Sequence, residues 1–150
     1  MKAISEENRD PDEERIPYTV RVKTGTDSNA GTSANVMIRL NGFQGQQTRW
    51  IPLEVLQGGR FERGKVETFS LEEKDIGDLE VAEIKHDGET PADSWLLDDI
   101  TIEIPTKGKV YYFPCNQWLS KHKDDGKTKR NLQVEEKNRG SFRPCKYVLC

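Results

Sequence analysis

The chain has 150 residues and a mass of 17.2 kDa, with 33% apolar and 33% charged side chains, which is room for one domain that buries roughly 68–70% of its unfolded surface. The longest apolar run, Val110-Tyr111-Tyr112-Phe113, excludes a membrane-spanning helix, and Met1 to Glu7 lacks the apolar stretch of an export signal. Of the 23 basic and 26 acidic side chains, residues 1–15 hold three and six, so the remainder is neutral, which excludes a general nucleic-acid binder because phosphate binding needs a clustered cationic excess.

Residues 1–15 carry many acids and few apolar side chains, so they cannot offset their own ordering entropy and read as a disordered lead-in. From Ile16 the pattern has a period of two. Tyr18, Val20 and Val22 alternate with Thr19, Arg21 and Lys23, and Val36, Ile38 and Leu40 alternate with Met37 and Arg39. The intervening segment (TGTDSNAGTSAN, 24–35) is rich in small oxygen-bearing residues and reads as a loop able to converge on a cation or to pair with itself. Further strand signals lie at Trp50 to Leu53, Val66 to Leu71, Leu79 to His86, Ile100 to Ile104 and Lys109 to Phe113. Within Leu79 to His86 the apolar phase changes between Val81 and Ala82, which calls for a bulge. Helix is limited to one turn near Asn116 to Lys121, and the expected architecture is an all-β sandwich over residues 16–136, with 137–150 as a tail or linker.

No catalytic constellation emerges. The sequence holds no GxSxG, GxxxxGK[ST] or HExxH, Gly58-Gly59 is an isolated pair, and His86 at a strand end reads as a structural histidine. Cys115, Cys145 and Cys150 are odd in number and lack an export signal, so free thiols in a reducing compartment are expected, and with His86 and His122 they form no zinc spacing. Lys121 to Arg130 (KHKDDGKTKR) is the one basic cluster, read as a solvated hairpin or loop, or else as a patch facing anionic lipid or an acidic partner. The segment Asp93-Ser94-Trp95-Leu96-Leu97-Asp98-Asp99 supports two readings. Trp95 and the leucines plug the end of the sandwich while Asp98 and Asp99 accept from loop N–H groups, or Asp93 helps to bind calcium while Trp95 enters the interfacial layer of a membrane.

The stretches YTVRVKTGTDSNAGTSANVMIRLNG (18–42), FERGKVETFSL (61–71), IGDLEVAEIKHDG (76–88) and DSWLLDDITIEIPTKGKVYYFPCNQWLS (93–120) resemble a PLAT (lipoxygenase-homology) domain, with four blocks in family order. The following KDDGKTKRNL (123–132) is similar to the corresponding stretch of tandem PLAT-repeat proteins of stereocilia, a resemblance that implies one unit of a longer multi-domain protein. The resemblance implies an eight-stranded antiparallel β-sandwich of two four-stranded sheets that attaches its parent to a membrane surface or a protein partner. It also implies a calcium site, with Asn29 and the Gly31 carbonyl from one loop and Asp93 and the Ser94 carbonyl from another, and a membrane contact through Trp95 and Leu96. Asn29 stands where calcium-binding relatives often carry Asp, Ser33 replaces another common Asp, and Arg60 would repel a second ion. A site with Asp93 as its one matched carboxylate binds calcium in the weak range of roughly 10⁻⁴–10⁻³ M unless Asp27 or a lipid phosphate completes it. Calcium is accordingly a conditional ligand, a calcium-independent protein-binding module is the alternative, and the expected location is cytoplasmic, peripheral to a membrane.

Overall fold

The computed structural model describes residues 14–56 and 59–135. The alternating apolar pattern resolves into eight strands: β1 (Arg15–Thr24), β2 (Val36–Gly42), β3 (Ile51–Leu53), β4 (Val66–Lys74), β5 (Leu79–His86), β6 (Trp95–Ile104), β7 (Lys109–Leu119) and β8 (Lys129–Gln133). They form two antiparallel four-stranded sheets, ordered β4-β1-β6-β7 and β3-β2-β5-β8. This is the sandwich the sequence implies, and single turns of 3-10 helix at Pro91–Asp93 and Pro105–Lys107 are the helical elements among the described residues.

The inner faces supply the core. Tyr18, Val20 and Val22 of β1 and Ile100, Ile102 and Ile104 of β6 face Ile38 and Leu40 of β2 and Ala82 and Ile84 of β5, all fully buried. Because side chains alternate across a strand, one register places every one of these on the inside. Tyr18 keeps its polar end satisfied by donating to the Lys74 carbonyl at 2.7 Å, and burial raises the phenol pKa to about 12. On the outer face of β2 and β5, Glu83 accepts from Arg39 Nε and Nη2 at 2.9 and 3.0 Å and from Asn41 at 2.8 Å, with Lys129 Nζ at 3.2 Å. Arg39 and Lys85 in turn lie 4.6 and 4.0 Å from the centre of the Trp50 ring, so one carboxylate and one indole join strands β2, β5 and β8 across the sheet surface.

Several expectations shift. The bulge in β5 lies one position earlier than predicted, where Asn41 pairs with Val81 but Gly42 with Leu79. Strand β6 begins at Trp95 rather than near Ile100, and β7 runs on to Leu119, so the predicted helical turn near Asn116 is largely strand. Asn116 takes φ 55°, a left-handed kink inside β7; Asp98 is an extra residue of β6 against β1, whereas against β7 the extra residue lies in β7, where Cys115 and Asn116 together oppose Asp98. The basic hairpin of the sequence reading closes onto β8, which pairs with β5. The acidic lead-in up to residue 13 and the tail from 137 lie outside the described residues.

The register brings four connections to one end. Val36 opposes both Leu53 and His86, Lys23 opposes Val66, Trp95 opposes Leu119, and Lys85 opposes Lys129. Residues 25–35, the described parts of the 54–65 connection (54–56 and 59–65), 87–94 and 120–128 therefore sit together.

Candidate functional site

That end holds every residue predicted to bind calcium, and its loops do touch. The Leu96 N–H donates to the Ala30 carbonyl at 2.9 Å, the Gly25 N–H to the Leu96 carbonyl at 2.8 Å, and the Thr32 hydroxyl to the Asp93 carbonyl at 2.9 Å. A two-way backbone bridge between Thr32 and Phe61, at 3.0 and 2.9 Å, ties the 54–65 connection to the same loop. The oxygens are near one another for the reason the sequence suggests: β1 and β6 are neighbours, so their ends deliver the two loops side by side.

What the oxygens do there differs from the expectation. Asp93 closes the 3-10 turn at Pro91–Asp93. Its Oδ2 accepts from the Thr90 N–H, the Glu89 N–H and the Thr90 hydroxyl at 3.1, 3.1 and 3.0 Å, and these bonds, with Thr90 first, hold the carboxyl below its ordinary pKa. Ser94 is buried and shares a 2.7 Å hydroxyl bond with Ser120. Gly31 is walled in: a Cβ there would lie 2.3 Å from the Phe61 carbonyl oxygen and 3.1 Å from Arg60 Nη2. Asn29 is exposed, in a left-handed conformation at φ 64°. Arg63 Nη1 donates to the Thr26 carbonyl at 3.1 Å, so the first loop has a guanidinium on one of its carbonyls and a second beside Gly31.

Calcium takes six to eight oxygens, with carboxylates setting the affinity. Among the described residues there is no group of three or more Asp, Glu, His or Cys side chains placed to hold a metal ion. One oxygen of the matched carboxylate, Asp93 Oδ2, is committed to its own turn and guanidinium groups of the protein border the first loop, so the donor set is poor in free carboxylate for calcium as it stands.

The membrane residues are corrected too. Trp95 has no exposed surface; its ring packs 5.1 Å from that of Phe61, and its indole N–H donates to the Thr24 hydroxyl at 2.9 Å. Leu96 lies over Gly25, where an added Cβ would meet its Cδ2 at 2.7 Å. Trp95 thus closes the end of the sandwich, the first of the two sequence readings of this segment, while Leu96 is half-buried on the outer face between the inward-facing Trp95 and Leu97. The reason is register: β6 starts at Trp95, which pairs with Leu119 and points inward. Asp99 accepts from the Tyr112 hydroxyl at 3.2 Å rather than from a loop N–H. A residue the sequence reading passed over is Leu56, 81% exposed in the 54–65 connection.

The remaining candidates for chemistry are structural. His86 is buried, with Nε2 2.7 Å from the Leu119 carbonyl and Nδ1 accepting from the Gly88 N–H at 3.0 Å, which places its proton on Nε2. Burial raises the pKa of the Cys115 thiol, which makes it a poor nucleophile. Replacing Asp93 with Ala removes the acceptor of three donors, and the expected result is a melting temperature lower by about 4 °C, with calcium having no influence on the size of the drop; differential scanning calorimetry with calcium and with chelator checks both.

Known proteins resemble this chain in sequence and fold. The sequence profile of the PLAT/LH2 domain matches residues 18–133. Lipoxygenase homology domain-containing protein 1 of Mus musculus is 39% identical over 116 residues, which is 77% of this chain and 6% of that protein. The allene oxide synthase-lipoxygenase protein of Plexaura homomalla is 33% identical over 107 residues, 69% of this chain and 10% of that protein. Among solved structures, coral 8R-lipoxygenase, described as activated by calcium through a C2-like domain, superposes with a TM-score of 0.69 at 30% identity over 81% of this chain and 17% of its own. A calcium-dependent 11R-lipoxygenase gives a TM-score of 0.62 at 26% identity, over 79% of this chain and 17% of its own. The chain thus spans only a small fraction of the relatives it matches, and it belongs to the PLAT/LH2 domain family.

Proposed function

We propose that this domain is a non-catalytic docking module that attaches a longer parent chain to a protein partner and needs no resident ion. The burial of Trp95 carries the reading. The one aromatic side chain that the sequence offered to a membrane at this end is a fully enclosed core residue with its N–H satisfied. Electrostatics agree, since the four connections at this end carry six Lys and Arg against eight Asp and Glu and so do not steer it toward an anionic bilayer. A cytoplasmic location and a parent built of repeated units belong to the same proposal, on the odd cysteine count and the likeness to lipoxygenase homology domain-containing protein 1.

The second reading is membrane attachment assisted by calcium at Asn29, Gly31, Asp93 and Ser94. It is favoured by the calcium dependence described for the 8R- and 11R-lipoxygenases and by the exposed Leu56. Co-sedimentation with phosphatidylserine-containing vesicles separates the two. The expected result is that the protein stays in the supernatant with calcium and with chelator alike. Pelleting that requires calcium would overturn the first reading in favour of the second.

A further inference from the structure

The basic hairpin singled out in the sequence reaches the four-loop end through residues 120–128 but supplies none of the oxygens weighed there for calcium, and its geometry gives it a separate use. Strands β7 and β8 are the outer strands of the two different sheets, and each pairs on one side only. Between them and the connecting turn lies an open groove of about 620 Å³ whose wall includes Gln117, Lys127, Thr128, Lys129, Arg130 and Asn131, with no acidic side chain in its lining. The segment Lys121 to Arg130 holds five cations against Asp124 and Asp125.

Two of the groove cations are already organised. Arg130 is 91% buried as a side chain, and its guanidinium is held by Asp125 at 2.7 and 2.8 Å and by the Trp118 carbonyl at 2.7 Å. Lys129 reaches Glu83 at 3.2 Å and Asn131 at 2.8 Å. Lys127 makes no side-chain ion pair among the described residues. Arg130 Nε is the one buried side-chain nitrogen or oxygen among them without a hydrogen-bond partner, and burying an unpaired donor is costly, so such groups mark places where a further acceptor or strain is involved.

We infer that this groove docks an extended acidic peptide segment of a partner protein, through carboxylates on Lys127 and Lys129, the amides of Gln117 and Asn131, and the free edge of β8. Three observations select this occupant. The surface is concave and cationic, which suits a chain of carboxylates. Strand β8 has an unpaired edge, to which an extended chain can add as a further strand. The large apolar side chains exposed among the described residues, Phe43, Leu56, Val66 and Val110, all lie outside the hairpin, so the groove has nothing to insert into a bilayer. The inference rests on the protein-docking reading and deepens it by giving the partner a chemistry and a place.

The test titrates the protein with an oligoglutamate peptide, followed by calorimetry, with oligolysine as the control and vesicles of phosphatidylserine as a separate arm. The Lys127 side chain is exposed and in no ion pair among the described residues, so Lys127→Glu is expected to melt like the parent protein and to bind oligoglutamate at least tenfold more weakly. Binding of the parent is expected to weaken with salt, as exposed charge pairs do. Absence of oligoglutamate binding, or equal affinity of the parent and Lys127→Glu, would overturn the inference. Vesicle binding that is abolished by Lys127→Glu would also overturn it, by assigning the groove to lipid. Calcium-dependent vesicle binding that survives Lys127→Glu, with oligoglutamate binding lost in that variant, would overturn the protein-docking reading of the four-loop end while leaving the groove assignment standing.

Discussion

Replacing Trp95 with Ala is expected to lower the unfolding free energy by about 3–5 kcal/mol, the range for removing a fully buried Trp. The side chain has no exposed surface, touches the Phe61 ring and gives its N–H to Thr24. Its loss leaves a cavity where β6 enters the sheet and strands a buried hydroxyl, so both the packing and the hydrogen bond are forfeited. Trp118 is the control. Its residue is only partly buried, with Lys123 Nζ 4.6 Å from the ring centre, and Trp118→Ala is expected to cost about 1 kcal/mol. Urea denaturation of both variants against the parent checks the pair. A large loss for Trp118 with a small one for Trp95 would mean that the register of β6 against β7 is wrong.

The second large effect is expected at Glu83. Two bonds from Arg39, with support from Asn41 and Lys129, bring its pKa from the usual 4.5 to about 2, and the side chain is only 9% exposed. The folded value lies below the unfolded one, so the native state favours the ionised form. The stabilisation is fully present above about pH 4.5 and disappears as pH falls toward 2. Glu83→Gln removes the charge while Arg39 and Lys129 remain, and is expected to cost about 2 kcal/mol at neutral pH, reduced from the fully buried case because Arg39 is partly solvated. Measured from pH 7 down to 2, the gap between parent and variant should close in the acid range. A gap of the same size at both ends of that range would show that the carboxylate charge is not what joins β2, β5 and β8.

How much of this was legible in the sequence follows from what period-two alternation can and cannot say. Strands β1 and β2 announce themselves because Tyr18, Val20, Val22 and Val36, Ile38, Leu40 mark one face without interruption. Strand β8 does not, since Lys129-Arg130-Asn131-Leu132-Gln133 carries a single apolar residue, Leu132, and gains its place from pairing with β5 rather than from burial. The start of β6 is obscured because Asp98 is an extra residue against β1, which shifts the phase of Trp95 and Leu97 relative to Ile100. That same slip decides whether Trp95 faces water or core.

At the candidate site, the sequence and the family resemblance supplied the right loops but not their bonds. Asn29, Gly31, Asp93 and Ser94 do lie at one end, yet a Thr three residues before an Asp is equally a turn-closing pair, and Thr90 with Asp93 adopts that use. Arg63 was not singled out, because nothing in its neighbours shows that its guanidinium reaches the Thr26 carbonyl across the sandwich end. Such contacts depend on which strands are adjacent, and adjacency is not written in local sequence.

This end of the sandwich is held together by the protein's own hydrogen bonds. Calcium titration of the intact protein by isothermal calorimetry is expected to give no saturable heat up to millimolar calcium; a saturable heat that disappears in Asp93→Asn would show that an ion shares in holding this end.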